Sequence, residues 1–250
     1  MTKIIITGAC GKMGKVIQSI INARDNCEVV AGVDKYNDNS NAFPVYENIH
    51  DVKEKADVII DFSNPALLDD LLDYSKKTNT ALVIGTTGYD DCQKKKIKDA
   101  SDECPIFFTY NMSIGVNLLA TLAKKAVQVL GDGFDIEIVE KHHNQKIDAP
   151  SGTALMLADA ICEEIDNPMK YEYDRHSKRE KRTKNEIGMH AVRGGTIVGE
   201  HEIIFAGRDE VITLSHSARS KELFAVGAVN AAVYMAGKNA GLYDMSELVK

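Results

Sequence analysis

The sequence predicts an α/β protein: a Rossmann-like, doubly wound parallel sheet, plus a smaller α+β domain with a mixed or antiparallel sheet. Two observations predict the first part. Short β-branched runs alternate with amphipathic runs from the N-terminus onward, and a glycine-rich turn follows the first of them. One observation predicts the second part, because three strand-like runs near the C-terminus follow one another without helices between them.

The first part contains five predicted strands in order, "KIIIT", "EVVAGVD", "DVIIDF", "ALVIGTT" and "PIFFT". The stretches between them have the length and patterning of helices, which is typical of a parallel sheet covered on both faces. One such stretch begins at Pro65, after "FSN", and places Leu67, Leu68, Leu71 and Leu72 on one helical face. We expect that leucine face to belong to the core rather than to a site.

The pattern changes after about residue 112. A long helix is predicted in "GVNLLATLAKKAVQVL", a strand in "FDIEIVEKHH" and a second helix in "SGTALMLADAICEEI". The three consecutive strand-like runs are "MHAVRG", "IVGEHEIIFA" and "EVITLSHSA", and a helix rich in small residues, "KELFAVGAVNAAVYMAG", follows them. We therefore divide the chain into residues 1–112, 113–221 and 222–250. The charged segment from Tyr171 to Lys184 is predicted to be a solvated loop, and its sequence indicates no function.

The overall charge excludes some classes of partner. The 250 residues are 44% hydrophobic and 27% charged, which is typical of a globular chain, and the formal net charge is -7. Nucleic-acid and membrane-surface binders need a cationic footprint, so we expect neither partner. No stretch approaches the roughly 18 apolar residues of a membrane span. Any anionic ligand must therefore bind in a local pocket.

The N-terminus and the cysteines indicate the compartment. "MTKIIITGAC" enters a strand-like run at once, without the pattern of a signal peptide. Five cysteines form an odd set with no CxxC pair, which favours a reduced, cytoplasmic location.

The glycine turn predicts a dinucleotide site. Gly8, Gly11 and Gly14 lie between a strand and a helix, where glycine allows backbone amides to approach a pyrophosphate. The next strand ends in Asp34, about 20 residues after the last glycine, where a carboxylate can accept ribose hydroxyls. The spacing is GxxGxxG rather than GxGxxG, and an ordinary tight turn is the alternative. Asp34 favours NADH, whereas the neighbouring cations Lys12 and Lys35 favour NADPH, so use of either or both cofactors stays open.

Two further segments are expected at the cofactor. Residues Gly85 to Thr87 follow one predicted sheet strand, and residues Thr109 to Met112 follow a later one. In an open parallel sheet, ligands lie outside the carboxyl ends of the strands, so both segments should face the dinucleotide.

The stretch "EKHHNQKIDAPSGTA" concentrates titratable groups in one loop. The strand that precedes it delivers His142 and His143 to its exit on different sides, and Lys146 follows after a short turn. Residues 150–153 then open a helix, whose free amides, together with the Ser151 and Thr153 hydroxyls, suit a carboxylate. His142 or Lys146 could deliver a proton. The alternatives are a structural histidine pair with Ser151 as a simple N-cap, or a metal site; adjacent histidines point apart, so we expect no metal.

The sequence resembles a known family, the bacterial 4-hydroxy-tetrahydrodipicolinate (dihydrodipicolinate) reductases. The histidine stretch is the specific motif, and "GACGKMG", "DFS", "GTTG", "NMSIGVN", "RGGTIVGEHEIIFAG" and "GLYDM" follow the family's order over essentially the whole chain. The resemblance implies a dinucleotide-binding domain at 1–112, a substrate-binding and oligomerisation domain at 113–221, and a C-terminal helix at 222–250 that returns to the first domain. It also implies a homotetramer.

The resemblance assigns residues as well. It implies that His142 is the catalytic proton donor/acceptor and Lys146 the catalytic proton donor, and that the substrate is held by His143, Ser151, Gly152 and Thr153. The implied cofactor-binding residues are Gly8, Ala9, Cys10, Gly11, Lys12, Met13, Asp34, Lys35, Gly85, Thr86, Thr87, Thr109, Tyr110, Asn111 and Met112. Lys12 stands where arginine is usual in the family and Met112 where phenylalanine is common.

The implied reaction is hydride transfer from NADH or NADPH to C4 of a cyclic, unsaturated dicarboxylate, with loss of water and protonation of the adjacent carbon, in lysine and diaminopimelate biosynthesis. Two rivals on the same nucleotide fold are an aspartate- or homoserine-type dehydrogenase and a catalytically inactive NAD-responsive regulator. The residues leave open which of His142 and Lys146 gives the proton.

Overall fold

The computed structural model describes residues 1–37 and 41–249 of the chain. They form two compact units: a first unit of Met1–Ser113 with Glu222–Leu248, and a second unit of Ile114–Lys221 with Val249. No helix within these described ranges is long and apolar enough to cross a membrane. The binding roles assigned to the corresponding parts of the sequence remain predictions.

The first unit is built on a seven-stranded parallel sheet. Its strands are β1 (Thr2–Thr7), β2 (Cys27–Val33), β3 (Val45–Tyr46), β4 (Val58–Asp61), β5 (Ala81–Ile84), β6 (Pro105–Phe108) and β12 (Gly241–Tyr243). They lie in the order β12-β6-β5-β4-β1-β2-β3. Its helices are α1 (Lys12–Asn22), α2 (Leu68–Thr78), α3 (Asp91–Ala100) and α6 (Glu222–Met235). This sheet confirms the predicted Rossmann-like α/β class.

Burial explains why the central strands are nearly all apolar. Ile4, Ile5 and Ile6 of β1 are fully buried, as expected for a strand covered by helices on both faces. Pro65 opens a 3-10 turn rather than α2 itself, which begins at Leu68. The leucines at 68, 71 and 72 are buried, so the prediction that this face belongs to the core is confirmed.

Helix α6 contains small residues because it approaches the backbone of its own unit closely. A Cβ built on Gly227 would lie 1.7 Å from the carbonyl oxygen of Met112. Only glycine permits that approach. Strand β12 follows α6 and pairs in parallel with β6. It was not predicted, because three residues are too few to show a period.

The second unit is built on a five-stranded mixed sheet. Its strands are β7 (Asp135–His142), β8 (Lys170–Glu172), β9 (Glu186–Arg193), β10 (Gly199–Ala206) and β11 (Val211–Ala218), and its helices are α4 (Ile114–Leu130) and α5 (Gly152–Cys162). The strands lie in the order β11-β10-β7-β9-β8. Strand β7 pairs in parallel with β9 and antiparallel with β10, so the predicted mixed sheet is confirmed.

One face of the mixed sheet forms the core of the second unit. Side chains of β7 alternate between buried and half-buried, with Ile136 and Ile138 on the buried face. Leu119 of α4 and Leu157 of α5 belong to the same apolar cluster. Glu140 and His142 continue this buried face toward the end of β7, so the strand's own alternation carries two polar side chains inward.

The charged segment before β9 is largely exposed, as predicted for a solvated loop, but ion pairs fasten it to the sheet. The guanidinium of Arg182, 17% exposed, donates to Glu137 Oε1 at 3.0 Å, to Asp135 Oδ1 at 3.1 Å and to the Ile136 carbonyl at 3.0 Å. Arg182 therefore fastens the segment to β7. Sequence alone could not show this, because a charged run looks the same whether its charges face water or one another.

Candidate active site

The glycine turn of the first unit is shaped by two close approaches. Gly8 has a φ of +72°, and a Cβ there would lie 2.3 Å from the Phe62 carbonyl oxygen. A Cβ on Gly14 would lie 2.2 Å from the Gly8 carbonyl oxygen. At Gly11 the nearest atom, the same Gly8 oxygen, is 3.2 Å away. The first and third glycines thus bring α1 against the turn, while the second borders more open space.

The start of α1 is left open toward an anion. Gly11 is the N-cap, and among the described residues no side chain caps the helix there. The first amides of a helix have no intrahelical acceptor, and the helix dipole favours negative charge at this end. The glycine clearances and the uncapped helix start together fit a dinucleotide pyrophosphate.

Asp34 is tied to the turn. Its Oδ2 accepts from the Cys10 amide at 2.9 Å and its Oδ1 accepts from the Tyr36 amide at 3.1 Å. Each carboxylate oxygen has a second lone pair, so both can still accept from a ribose hydroxyl. Lys12 and Lys35 are exposed. The arrangement brings the predicted acid to the predicted turn and does not decide between the two cofactors.

A buried carboxylate that the residue-level reasoning missed organises the neighbouring loops. Asp61, fully buried at the end of β4, accepts from Thr7 Oγ1 at 2.5 Å and from the Ser63 hydroxyl. Tyr89 lies beyond the Gly85–Thr87 segment and donates to Asp61 at 3.3 Å, while burial raises the pKa of its hydroxyl. The Ser63 amide donates to Thr86 Oγ1 at 2.8 Å. The "DFS" motif was the available signal for this network.

The residues of the segment after β6 differ in their exposure to solvent. Tyr110 is 77% exposed, whereas Met112 is 5% exposed. The Ser113 amide donates to Asn111 Oδ1 at 2.8 Å, and the Asn111 amide donates to Thr109 Oγ1 at 3.4 Å. Tyr110 is therefore the accessible residue of this segment, whereas Met112 is buried and its carbonyl packs against Gly227 of α6.

The histidine loop of the second unit begins at the end of β7. His142 is 9% exposed, and its Nδ1 lies 2.6 Å from Glu140 Oε2. His143 comes after the strand end and is half-buried. A Cβ on Gly199 of β10 would lie 3.1 Å from His142 Nε2, so glycine keeps space beside that nitrogen.

Lys146 has an acidic partner within the loop. Its Nζ lies 2.8 Å from Asp148 Oδ1, and its side chain is 23% exposed. The hydrogen bond from Lys146 lowers the pKa of the Asp148 carboxyl. The ammonium is therefore held at the loop by a carboxylate that the sequence reasoning did not single out.

Helix α5 begins at Gly152, and Ser151 is its N-cap. The Ser151 hydroxyl accepts from the Ala154 amide at 3.2 Å and lies 3.1 Å from His201 Nε2. Burial, and then the neighbouring His142, lower the pKa of His201 to about 4, so that ring is neutral at physiological pH. His201, from the "GEH" motif, is another member of this site that residue-level reasoning missed.

The structure thus gathers the predicted substrate-binding and proton-donating residues in one loop and helix start of the second unit. It gathers the predicted cofactor segments at the strand ends and turns of the first unit.

Comparison with known proteins identifies the family. Residues 2–112 match the family model described as dihydrodipicolinate reductase, N-terminus, and residues 115–249 match the model described as dihydrodipicolinate reductase, C-terminus. The chain belongs to the dihydrodipicolinate reductase family. Two relatives named 4-hydroxy-tetrahydrodipicolinate reductase are similar over 100% of this chain and 99% of their own: one from Caldanaerobacter subterraneus subsp. tengcongensis at 53% identity, and one from Clostridium novyi at 50%.

A solved structure supports the same family. The dihydrodipicolinate reductase of Paenisporosarcina sp. TG-14, with dipicolinate bound, is similar with a TM-score of 0.82 and 26% identity over 100% of both chains. The resemblance noted from the histidine motif is thereby confirmed, as is the predicted fold class.

Proposed function

We propose that this chain reduces 4-hydroxy-tetrahydrodipicolinate to tetrahydrodipicolinate, with NADH or NADPH, in lysine and diaminopimelate biosynthesis. The observation that carries the proposal is the loop between β7 and α5. It combines a histidine, a lysine and a helix start, which are the groups needed to hold a dicarboxylate and to give it a proton. The family relatives bear this reductase name.

The cofactor would be held in the first unit by the glycine turn, the α1 start and Asp34, with the 85–87 and 109–112 segments at the neighbouring strand ends. When bound, the reduced nicotinamide supplies a hydride to C4 of the substrate. The chain's own residues then have two tasks: to hold two carboxylates and to protonate the adjacent carbon.

The carboxylates would be held at the start of α5. Ser151 accepts from the Ala154 amide at this helix start, where the helix dipole favours a negative charge. His143 and Lys146 add cationic or donor groups in the same loop, although Lys146 must exchange Asp148 for the substrate. The bound dipicolinate of the Paenisporosarcina relative is a cyclic dicarboxylate, which supports this substrate class.

We assign the proton to His142, with Lys146 as the second candidate. His142 is mostly buried and its Nδ1 is fixed against a carboxylate, so its ring orientation is set before substrate arrives. Lys146 is more exposed and already paired. A fixed donor is better suited to a single reacting carbon than a flexible ammonium.

We also propose a homotetramer assembled through the mixed sheet, and a cytoplasmic location. The sheet face opposite the α4 and α5 side exposes Val192 and Val211, which are 45% and 62% exposed. Light scattering of the purified protein would test the tetramer: a monomeric mass would refute it.

The cysteines support the proposed cytoplasmic location. All five lie within the described residues and form no disulfide, as expected in a reducing compartment.

The test of the function is oxidation of NADH and of NADPH by the purified protein. The preceding synthase generates the substrate in situ from pyruvate and aspartate semialdehyde. We expect turnover that requires the synthase and is abolished in folded His142→Gln; the comparison also ranks the two cofactors. Cofactor binding without turnover would refute the proposal in favour of an inactive regulator. Turnover with aspartate or homoserine instead would favour the rival dehydrogenases.

A further inference from the structure

A buried carboxylate two residues before His142 makes four contacts. Glu140 is fully buried at the end of β7. Its Oε2 lies 2.6 Å from His142 Nδ1 and accepts from Arg193 Nη1 at 2.7 Å. Its Oε1 accepts from Arg193 Nη2 at 2.6 Å and from the Ser151 amide at 2.9 Å. One side chain thus joins β7, β9 and the start of α5.

The contacts keep Glu140 ionised despite its burial. Burial by itself opposes the charged form, but the hydrogen bonds from Arg193, His142 and the Ser151 amide outweigh it and hold the pKa of Glu140 below its ordinary value. The paired carboxylate in turn raises the pKa of Arg193. An ionised carboxylate can only accept hydrogen bonds, so the proton on the facing histidine nitrogen must be on Nδ1.

We infer that Glu140, held by Arg193, is a positioning residue for His142. It keeps Nδ1 of His142 protonated and leaves Nε2 to give its proton to the substrate carbon. The inference rests on the proposed function and deepens it. Gly199 leaves space beside Nε2, whereas Nδ1 is occupied by Glu140. The two ring nitrogens therefore have separate tasks.

This arrangement suits transfer of a proton to carbon. In the imidazolium form His142 carries a proton on each nitrogen, and the Nε2–H bond breaks as the new C–H bond forms on the substrate. The electron pair of the Nε2–H bond stays on Nε2, and the ring becomes the neutral Nδ1–H form that Glu140 already holds. Solvent then returns a proton to Nε2. No ring flip is needed at any step.

Arg193 is needed because Glu140 would otherwise be an unpaired buried charge. Removing one partner of a buried ion pair leaves the other uncompensated. Arg193 also donates to the Asp148 carbonyl at 2.6 Å, so the same guanidinium fastens the loop that carries Lys146. Its planar, two-pronged geometry matches the carboxylate, which lysine could not reproduce.

The test is Glu140→Gln, which is close to isosteric but can present an amide donor to His142. We expect nitrogen-15 NMR of the imidazoles to show His142 protonated on Nδ1 in the wild type and on Nε2 in the variant. A neutral ring with this tautomer is a poor acid, so kcat should fall by about 10²–10³-fold. The dissociation constant of dipicolinate should change by less than about threefold, because the groups that hold carboxylates remain.

The matched control is Glu137→Gln on the opposite face of the same strand. Glu137 Oε2 lies 2.7 Å from His190 Nε2 and its Oε1 accepts from Arg182, so the control also alters a glutamate that contacts a histidine and an arginine, but outside the site. We expect its kcat to stay within about threefold of wild type. If Glu140→Gln does not fold, Arg193→Lys, which keeps the charge, should fold and lower kcat by about tenfold.

Two results would overturn the inference: a variant whose His142 keeps the Nδ1–H form, or one whose kcat stays within about threefold of wild type. The NMR result reports on positioning even if the wild type shows no reductase activity, so failure of the proposed function is distinguishable from failure of this inference.

Discussion

Gly14→Ala and Gly11→Ala separate folding from cofactor binding within one turn. Both changes add a single methyl group, but the available space differs. At Gly14 the new Cβ would lie 2.2 Å from the Gly8 carbonyl oxygen and 2.5 Å from that of Ala9. At Gly11 the nearest atom is 3.2 Å away, and its φ of -72° suits alanine.

The expected loss of stability follows from these distances. Ordinary Cβ contacts begin near 3.4 Å, so the start of α1 must move about 1.2 Å from the turn to accept a methyl at Gly14, where only backbone atoms oppose it. Overpacking of this kind costs about 1–3 kcal/mol. Alanine is otherwise favoured over glycine in a helix by about 0.5–1 kcal/mol, so the local clash must outweigh helix propensity.

Urea unfolding and cofactor titration form the assay. We expect Gly14→Ala to lower the unfolding free energy by about 1–2 kcal/mol and also to weaken cofactor binding, because the helix start moves. Gly11→Ala should stay within about 1 kcal/mol of wild type, yet bind NADH at least about tenfold more weakly because its methyl occupies the approach of the pyrophosphate. A Gly14→Ala protein as stable as wild type would refute the packing argument. Unchanged NADH affinity in Gly11→Ala would refute the placement of the pyrophosphate.

Three further predictions concern the second unit. Asp148→Asn should lower the KM for the dicarboxylate, because Lys146 no longer has to leave Asp148 to bind the substrate. The decrease should be no more than about fivefold, since partly exposed ion pairs are worth about 0–1 kcal/mol. A tenfold rise in KM would contradict this. The pKa of His201 falls from 6.5 to about 4 on folding, so this ring should contribute a loss of about 2–3 kcal/mol of stability between pH 7 and pH 4.5, because the unfolded chain takes up the proton first. Burial lowers the pKa of His216 as well, so His201→Gln should lose less stability than the wild type over this range rather than none, as denaturation at both pH values would show. Arg182→Ala should lower the free energy of unfolding in urea by about 2–4 kcal/mol. Lys184→Ala, which removes a side chain that is 75% exposed, should lower it by under about 0.5 kcal/mol. Equal effects of the two changes would show that the ion pairs of Arg182 do not hold the segment.

The strands and helices with a clear periodic pattern could be predicted from the sequence. The β-branched runs predicted β1, β2, β4, β5 and β6, and the long apolar patterns predicted α4 and α6. Strands β3, β8 and β12 have two or three residues each, so their pairing depends on tertiary neighbours rather than on a local pattern. Sequence position alone could not predict them.

Some residues of the candidate site could be predicted from the sequence and others could not. Those of the histidine loop could be, because several types of hydrogen-bond donor lie close together in the chain. Their partners could not be, since Arg193 and His201 are 53 and 50 residues away from Glu140 and Ser151 and meet them only when β9 and β10 flank β7. Glu140 itself looked like an ordinary strand carboxylate until the buried face of β7 was known.

The most direct test of the central claim follows the hydrogen itself. The cofactor is prepared with deuterium at both positions of the nicotinamide C4, the synthase supplies the substrate, and the product is analysed by mass spectrometry and NMR. We expect one deuterium at C4 of tetrahydrodipicolinate and none at the adjacent carbon, whose new hydrogen comes from solvent. Oxidation of the cofactor without deuterium at C4, or deuterium at the adjacent carbon, would contradict it.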